Sequence, residues 1–238
     1  MLLRVRLFFG IISIFLFFPF SVVYAQIAER FSVTGQLDYE VYFNGKKSGS
    51  VEWHYLGRQA CQGKEAELLK IDSDTKILSF FDLTSHEKIY LAVDDYLPLR
   101  VERDLVVFGN KEQIVETYYQ DQDYVGIVKS SKGDKKQSMI LRQKAPIRHI
   151  MALLYFFPAR EMFKPGETMD FNLPTCSVHI RVDSLREIDI QGIKRKAWLL
   201  IGTGGKRFNL WIDEEKKYPV RIEFLFPAGK ISIIEKKN

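Results

Sequence analysis

The chain has 238 residues, with 35 Lys and Arg against 30 Asp and Glu, a formal net charge of +5 and 46% hydrophobic residues. Acids and bases are interspersed without the basic stripe of a nucleic-acid reader, so nucleic acid is not an expected partner. Cys61 and Cys176 stand far apart and neither has a second cysteine nearby, which fits no zinc spacing, and no cofactor is implied.

The first 25 residues read as a secretory signal peptide. Arg4 and Arg6 supply the positive start, 7–20 is an almost unbroken apolar run, and Val23 and Ala25 are small residues at the positions a signal peptidase reads. Cleavage after Ala25 leaves Gln26 first and removes both arginines, which lowers the net charge from +5 to +3. The run is short for a bilayer span of roughly 20 residues, and Pro19 breaks its last turn. No later segment is apolar enough to span, so the expected product is exported to the periplasm or cell envelope with no stable membrane span. Residues 26–238 suit a single β-rich domain. In that compartment Cys61 and Cys176 are the candidates for one disulfide.

The mature chain is dominated by two-residue alternation. In 39–55, Tyr39, Val41 and Phe43 alternate with polar or amphipathic residues, Asn44-Gly45 supplies a turn that needs positive φ, and Val51, Trp53 and Tyr55 resume the alternation. Further strands are expected over 65–72, 88–93, 99–108, 113–119, 124–129 and 135–143, then over 168–172, 176–183, 194–202, 206–213, 219–226 and 231–234. Turn clusters such as Asp94-Asp95, Gly109-Asn110 and Lys132-Gly133-Asp134 separate them. This spacing predicts a mainly β fold, an antiparallel meander curled into a barrel or half-barrel. One segment breaks the rhythm. Pro146 opens 147–157, in which Ile147, Ile150, Met151 and Leu154 follow helical spacing and Leu153, Phe156 and Phe157 widen the stripe. A helix here is expected to cover the concave face of the sheet.

The Tyr-rich first hairpin with Gly45 and Gly49, the mid-chain helical segment, the Lys164-Pro165-Gly166-Glu167 turn, and Trp211-Ile212-Asp213 followed by Tyr218-Pro219-Val220-Arg221-Ile222-Glu223 resemble the exported bacterial family catalogued as domain of unknown function 3108. That resemblance implies an envelope location and a barrel-like body, and carries no catalytic residues. The closing hairpin, with Trp211, Pro219 and Gly229, also resembles that of the outer-membrane lipoprotein carriers, whose open barrel holds acyl chains. The chain departs from them in offering one helical segment where they have several.

Motifs of enzymes are absent: there is no Gly-x-Ser-x-Gly and no His-Glu-x-x-His. His54, His86, His149 and His179 are scattered and read as solvated surface residues. Gly202-Thr203-Gly204-Gly205-Lys206 lacks the first glycine and the closing Ser or Thr of a phosphate loop, and reads as a hairpin turn. Carboxylates are plentiful enough for two to meet across strands, which the sequence by itself does not locate. The aromatic content of 13% leaves two uses open, core packing or an apolar pocket lined by Trp53, Met151, Leu154, Phe157 and Trp211. The expected function is a non-enzymatic binding or structural module whose partner is a lipid or an envelope protein. The alternative is a periplasmic lipid or lipoprotein carrier with an apolar cavity under the helix, and a third reading is an exported hydrolase with an unrecognised site.

Overall fold

Alternating apolar and polar residues put one face of each strand out of water, and turn pairs fold successive strands back on each other. The computed structural model describes residues 35–77, 81–131, 135–153, 157, 162–205, 207–227 and 229–237. The expected signal peptide and its cleavage site lie outside them. Within the unit Gln36–Asn238 the strands are β1 (Gln36–Phe43), β2 (Lys46–Cys61), β3 (Lys64–Ile77), β4 (Phe81–Ala92), β5 (Pro98–Val107), β6 (Asn110–Tyr119), β7 (Tyr124–Ser131), β8 (Lys135–Arg142), β9 (Thr168–Leu173), β10 (Cys176–Ile190), β11 (Ile193–Gly204), β12 (Phe208–Asp213), β13 (Pro219–Phe226) and β14 (Gly229–Glu235). All belong to one antiparallel sheet in the order β8-β7-β6-β5-β4-β3-β2-β1-β14-β13-β12-β11-β10-β9. The expected meander is therefore present, and β1 sits at its middle.

The first hairpin forms as the sequence predicts. Asn44 and Gly45 have φ of 48° and 81°, the pair of positive values of a two-residue hairpin turn. Gly49 lies where β2 presses on β3, and a Cβ there would stand 2.1 Å from the Asp74 carbonyl oxygen. The inward residues Tyr39, Trp53, Leu69, Ile89, Leu91 and Val101 are buried, each worth about 1.5–3 kcal/mol of removed apolar surface. The Tyr39 ring lies 4.7 Å from that of Trp53, and its hydroxyl donates to the Pro219 carbonyl at 2.8 Å, joining the two halves of the sheet.

The two edge strands, β8 and β9, do not pair with each other. The chain leaving β8 spans from one half to the other. On one side Gln143 N donates to the Asp123 carbonyl at 3.0 Å, Ala145 N to Asp123 Oδ1 at 2.7 Å, and Ile147 N to Gln120 Oε1 at 2.8 Å. On the other, Asn172 Nδ2 donates to the Lys144 carbonyl at 2.8 Å and Arg148 N to the Asn172 carbonyl at 2.7 Å. An open sheet is thus tied across its gap by side chains and one isolated bridge, Ile147 to Asn172.

The helix expected over 147–157 is not found among the described residues. Ile147 is extended, 150–152 are turns, and Ala152 N and Leu153 N both donate to the His149 carbonyl, at 3.0 and 3.3 Å; Leu153 is helical and accepts from Phe157 N at 3.0 Å, and 154–156 lie outside the described residues. The segment nevertheless takes the expected place, with Ile147, Ala152, Leu153 and Phe157 buried. Its residues contact the sheet on several sides, which removes the need for one apolar stripe and one polar face. The Lys164-Pro165-Gly166-Glu167 turn follows, with Glu167 N donating to the Lys164 carbonyl at 3.0 Å.

Candidate functional site

Two features occupy the inner face of the sheet, one apolar and one ionic. The apolar feature is a cleft between the crossing segment and strands β12 and β13. Ile150, Met151, Leu153 and Phe157 form one wall, and Phe208, Leu210, Ile222 and Phe224 form the other. The strand residues share a face because they alternate, Phe208 and Leu210 opposite Phe224 and Ile222. Phe157 is held from behind by Phe163 and Phe171, at ring distances of 6.2 and 6.0 Å. The cavity volume is about 20 Å³, room for a water-sized group.

The ionic feature lies on β4, β5 and β6. Trp53, Ile71, Glu87, Arg103 and Ile114 stand opposite one another in a row across five strands, so Glu87 and Arg103 occupy positions the alternation otherwise fills with apolar residues. Arg103 Nε donates to Glu87 Oε2 at 2.7 Å, and Nη1 reaches Glu116 Oε1 at 3.5 Å. Tyr118 donates to Glu116 Oε2 at 2.7 Å. From the crossing segment His149 brings Nε2 to 3.3 Å from Arg103 Nη2 and 3.4 Å from Glu87 Oε1. A guanidinium can only donate, so Nε2 accepts and Nδ1 carries the ring proton. Burial pushes His149 below the usual histidine range despite the opposing pull of Glu87 and Glu116. Burial and Glu116 together hold Tyr118 protonated far above its ordinary range. With His149 neutral, two carboxylates share one cation. His149 Nδ1 and Glu87 Oε1 have no hydrogen-bond partner, nor has Trp53 Nε1 two strands away.

A barrel-like architecture of this kind has been seen before. The chain is similar to a β-barrel-like protein of Brucella abortus. That crystal structure, of a domain of unknown function, DUF1849, matches with a TM-score of 0.55 over 85% of this chain and 95% of that chain, at 6% sequence identity. At this identity the likeness is one of fold. No family model matches the chain and no curated protein does. The neighbour's domain is number 1849, whereas the sequence resemblance points to 3108.

Of the five residues expected to line an apolar pocket, Met151 and Phe157 do so. Leu154 lies outside the described residues. Trp53 is buried on the inner face against Tyr39, away from the cleft walls. Trp211 points to the outer face, where Arg221 lies 5.0 Å over its ring, because it alternates with the inward Leu210 and Ile212. The candidate bridge between Cys61 and Cys176 is absent: Cys61 ends β2 and Cys176 opens β10, six places apart in the strand order, and both thiols are free. His149, read as a surface histidine, is buried at 6% exposure. The ionic cluster went unassigned in the sequence, although Glu87-x-Ile89-x-Leu91 and Val101-x-Arg103 place the charges in phase with apolar neighbours.

Proposed function

We propose that the protein is a non-enzymatic binding module of the bacterial cell envelope that takes an apolar ligand between strands β12 and β13 and the wall formed by Ile150, Met151, Leu153 and Phe157. The observation that carries this reading is the apolar lining of both cleft walls, which offers a ligand contact area without hydrogen bonds. A volume of about 20 Å³ is too small for an acyl chain, so a chain-like ligand enters by displacing the Met151 side chain and its neighbours. This favours a module that clasps part of a lipid or an apolar protein segment over a carrier that encloses a whole acyl chain. The ionic cluster gives a hydrolase less support, because its hydrogen bonds run between its own members and involve no Ser, Thr or Cys. Export rests on residues 1–25, and protein recovered from periplasm should begin at Gln26.

The test is titration with a fluorescent fatty acid, together with native mass spectrometry of protein purified from envelopes. The parent should bind the probe, and Met151→Trp, which fills the cleft, should weaken binding by about tenfold, the equivalent of about 1.4 kcal/mol. A parent protein that neither binds the probe nor carries lipid would overturn the reading.

A further inference from the structure

Three neighbouring turns at one end of the strands differ in chemistry from three at the other. At one end the β1–β2 turn (43–47, FNGKK), the β11–β12 connection and the β13–β14 turn place Lys46, Lys47, Arg207 and Lys230 and no acid among their described residues. At the opposite end the turns 92–97, 119–124 and 213–218 hold Asp94, Asp95, Asp121, Asp123, Asp213, Glu214 and Glu215 against Lys216 and Lys217. The three basic turns are fastened together. Asn44 N donates to the Lys230 carbonyl at 2.9 Å, Lys230 N donates to Asn44 Oδ1 at 2.8 Å, and Leu225 N donates to the Arg207 carbonyl at 3.1 Å. From this end two adjacent apolar side chains project, Leu225 at 44% and Phe226 at 52% exposure.

Single exposed apolar residues are ordinary on a protein surface. Two at the tip of a hairpin, ringed by cations from three turns that contain no carboxylate, match a membrane interface, where apolar groups enter the headgroup layer and cations meet lipid phosphates. Lys47 is tied to Glu40, and Lys230 to Glu223. Lys46 and Arg207 are exposed and make no ion pair among the described residues, which leaves them available to phosphate. We propose that this end of the sheet docks on an anionic lipid surface, with Leu225 and Phe226 inserted and Lys46 and Arg207 against the lipid phosphates. The docking is independent of the apolar-ligand reading. It would also set the cleft beside the membrane, because the Phe226 ring lies 6.5 Å from that of Phe224 in the cleft wall.

The experiment is co-sedimentation with vesicles made of equal parts phosphatidylcholine and phosphatidylglycerol, compared with phosphatidylcholine alone. Protein as the cell exports it is used, so that the apolar leader does not insert. The parent should sediment with the anionic vesicles and be released by salt. Lys46→Gln and Arg207→Gln should each weaken binding about fivefold, and Phe226→Ser about tenfold. Glu214→Gln at the opposite end should change nothing. Lys46, Arg207 and Phe226 are exposed and Glu214 is half-buried, and matching urea midpoints will show that the variants fold. Equal sedimentation with both vesicle types, or with neither, overturns the proposal. So does a Phe226→Ser variant that binds as tightly as the parent, since the basic turns would then be a site for any polyanion, such as an acidic protein. Met151→Trp separates the two readings, because it should lower fatty-acid affinity and leave vesicle binding unchanged.

Discussion

Replacing Arg103 by methionine removes the one cation between Glu87 and Glu116 while keeping most of the apolar stem. The two carboxylates are each 11% exposed, and the arginine is 20% exposed. Breaking a buried ion pair from one side costs about 3–5 kcal/mol, because the remaining charge is left without a partner. The partial exposure of Arg103 screens some of this, which places the expected loss near the lower end, about 3 kcal/mol. That is a large share of the roughly 5–15 kcal/mol that holds an ordinary domain together. Equilibrium urea unfolding at neutral pH measures it, read from the midpoint at constant slope. Adding Glu116→Gln to Arg103→Met should recover part of the loss, since one of the stranded charges is gone. A loss below about 1 kcal/mol, the value of an exposed pair, would refute the reasoning and mean that water reaches the cluster.

Three further outcomes are expected. Burial lowers the His149 pKa from the ordinary histidine value of 6.5, so below that pH the unfolded chain takes up a proton that the folded chain refuses. The stability this contributes is present above pH 6.5 and is lost as pH falls through the window beneath it, and melts across this range should show that limb in the parent and not in His149→Leu. Gly45→Val places a β-branched residue at a φ of 81° and should lower stability by about 1–2 kcal/mol; an unchanged melt would mean the turn relaxes into another form. Burial raises the Cys61 thiol pKa, and the side chain is 6% exposed, so alkylation should label the half-buried Cys176 first and reach Cys61 on unfolding, as peptide mapping can follow.

Alternation made the sheet legible. Wherever Val, Ile, Tyr and Phe recur every second residue between Gly and Asp turns, a strand lies close to its expected place. The error at 147–152 has a physical cause. A segment inside a curved sheet is contacted on more than one side, and its apolar content mimics a helix that is apolar nearly all round. The ionic cluster was hidden for a different reason. Glu87, Arg103 and Glu116 come from three strands, and only the register brings them together; each looks like an ordinary surface charge until its phase with Ile89, Val101 and Tyr118 is followed. Trp211 shows the converse, since its alternation with Leu210 and Ile212 already assigned it to the outer face while its aromatic character suggested the pocket.

The position of β1 in the middle of the sheet means that sequence order and spatial order are out of step at a single place. Tyr39 lies opposite Glu235, and Lys236 N donates to the Asp38 carbonyl at 2.8 Å, so the two ends of the sheet-forming chain meet side by side. The one long excursion, 143–167, joins opposite edges. If a short linker joined 237 to 36 and the chain were opened within 143–167, the strands would follow one another in space as they do in sequence, from β9 through β14 and β1 to β8. Such a circular permutant would be built wholly from nearest-neighbour hairpins. It would trade the pairing of the first and last strands, which must wait until the whole chain has emerged, for one that closes as soon as two consecutive strands are made.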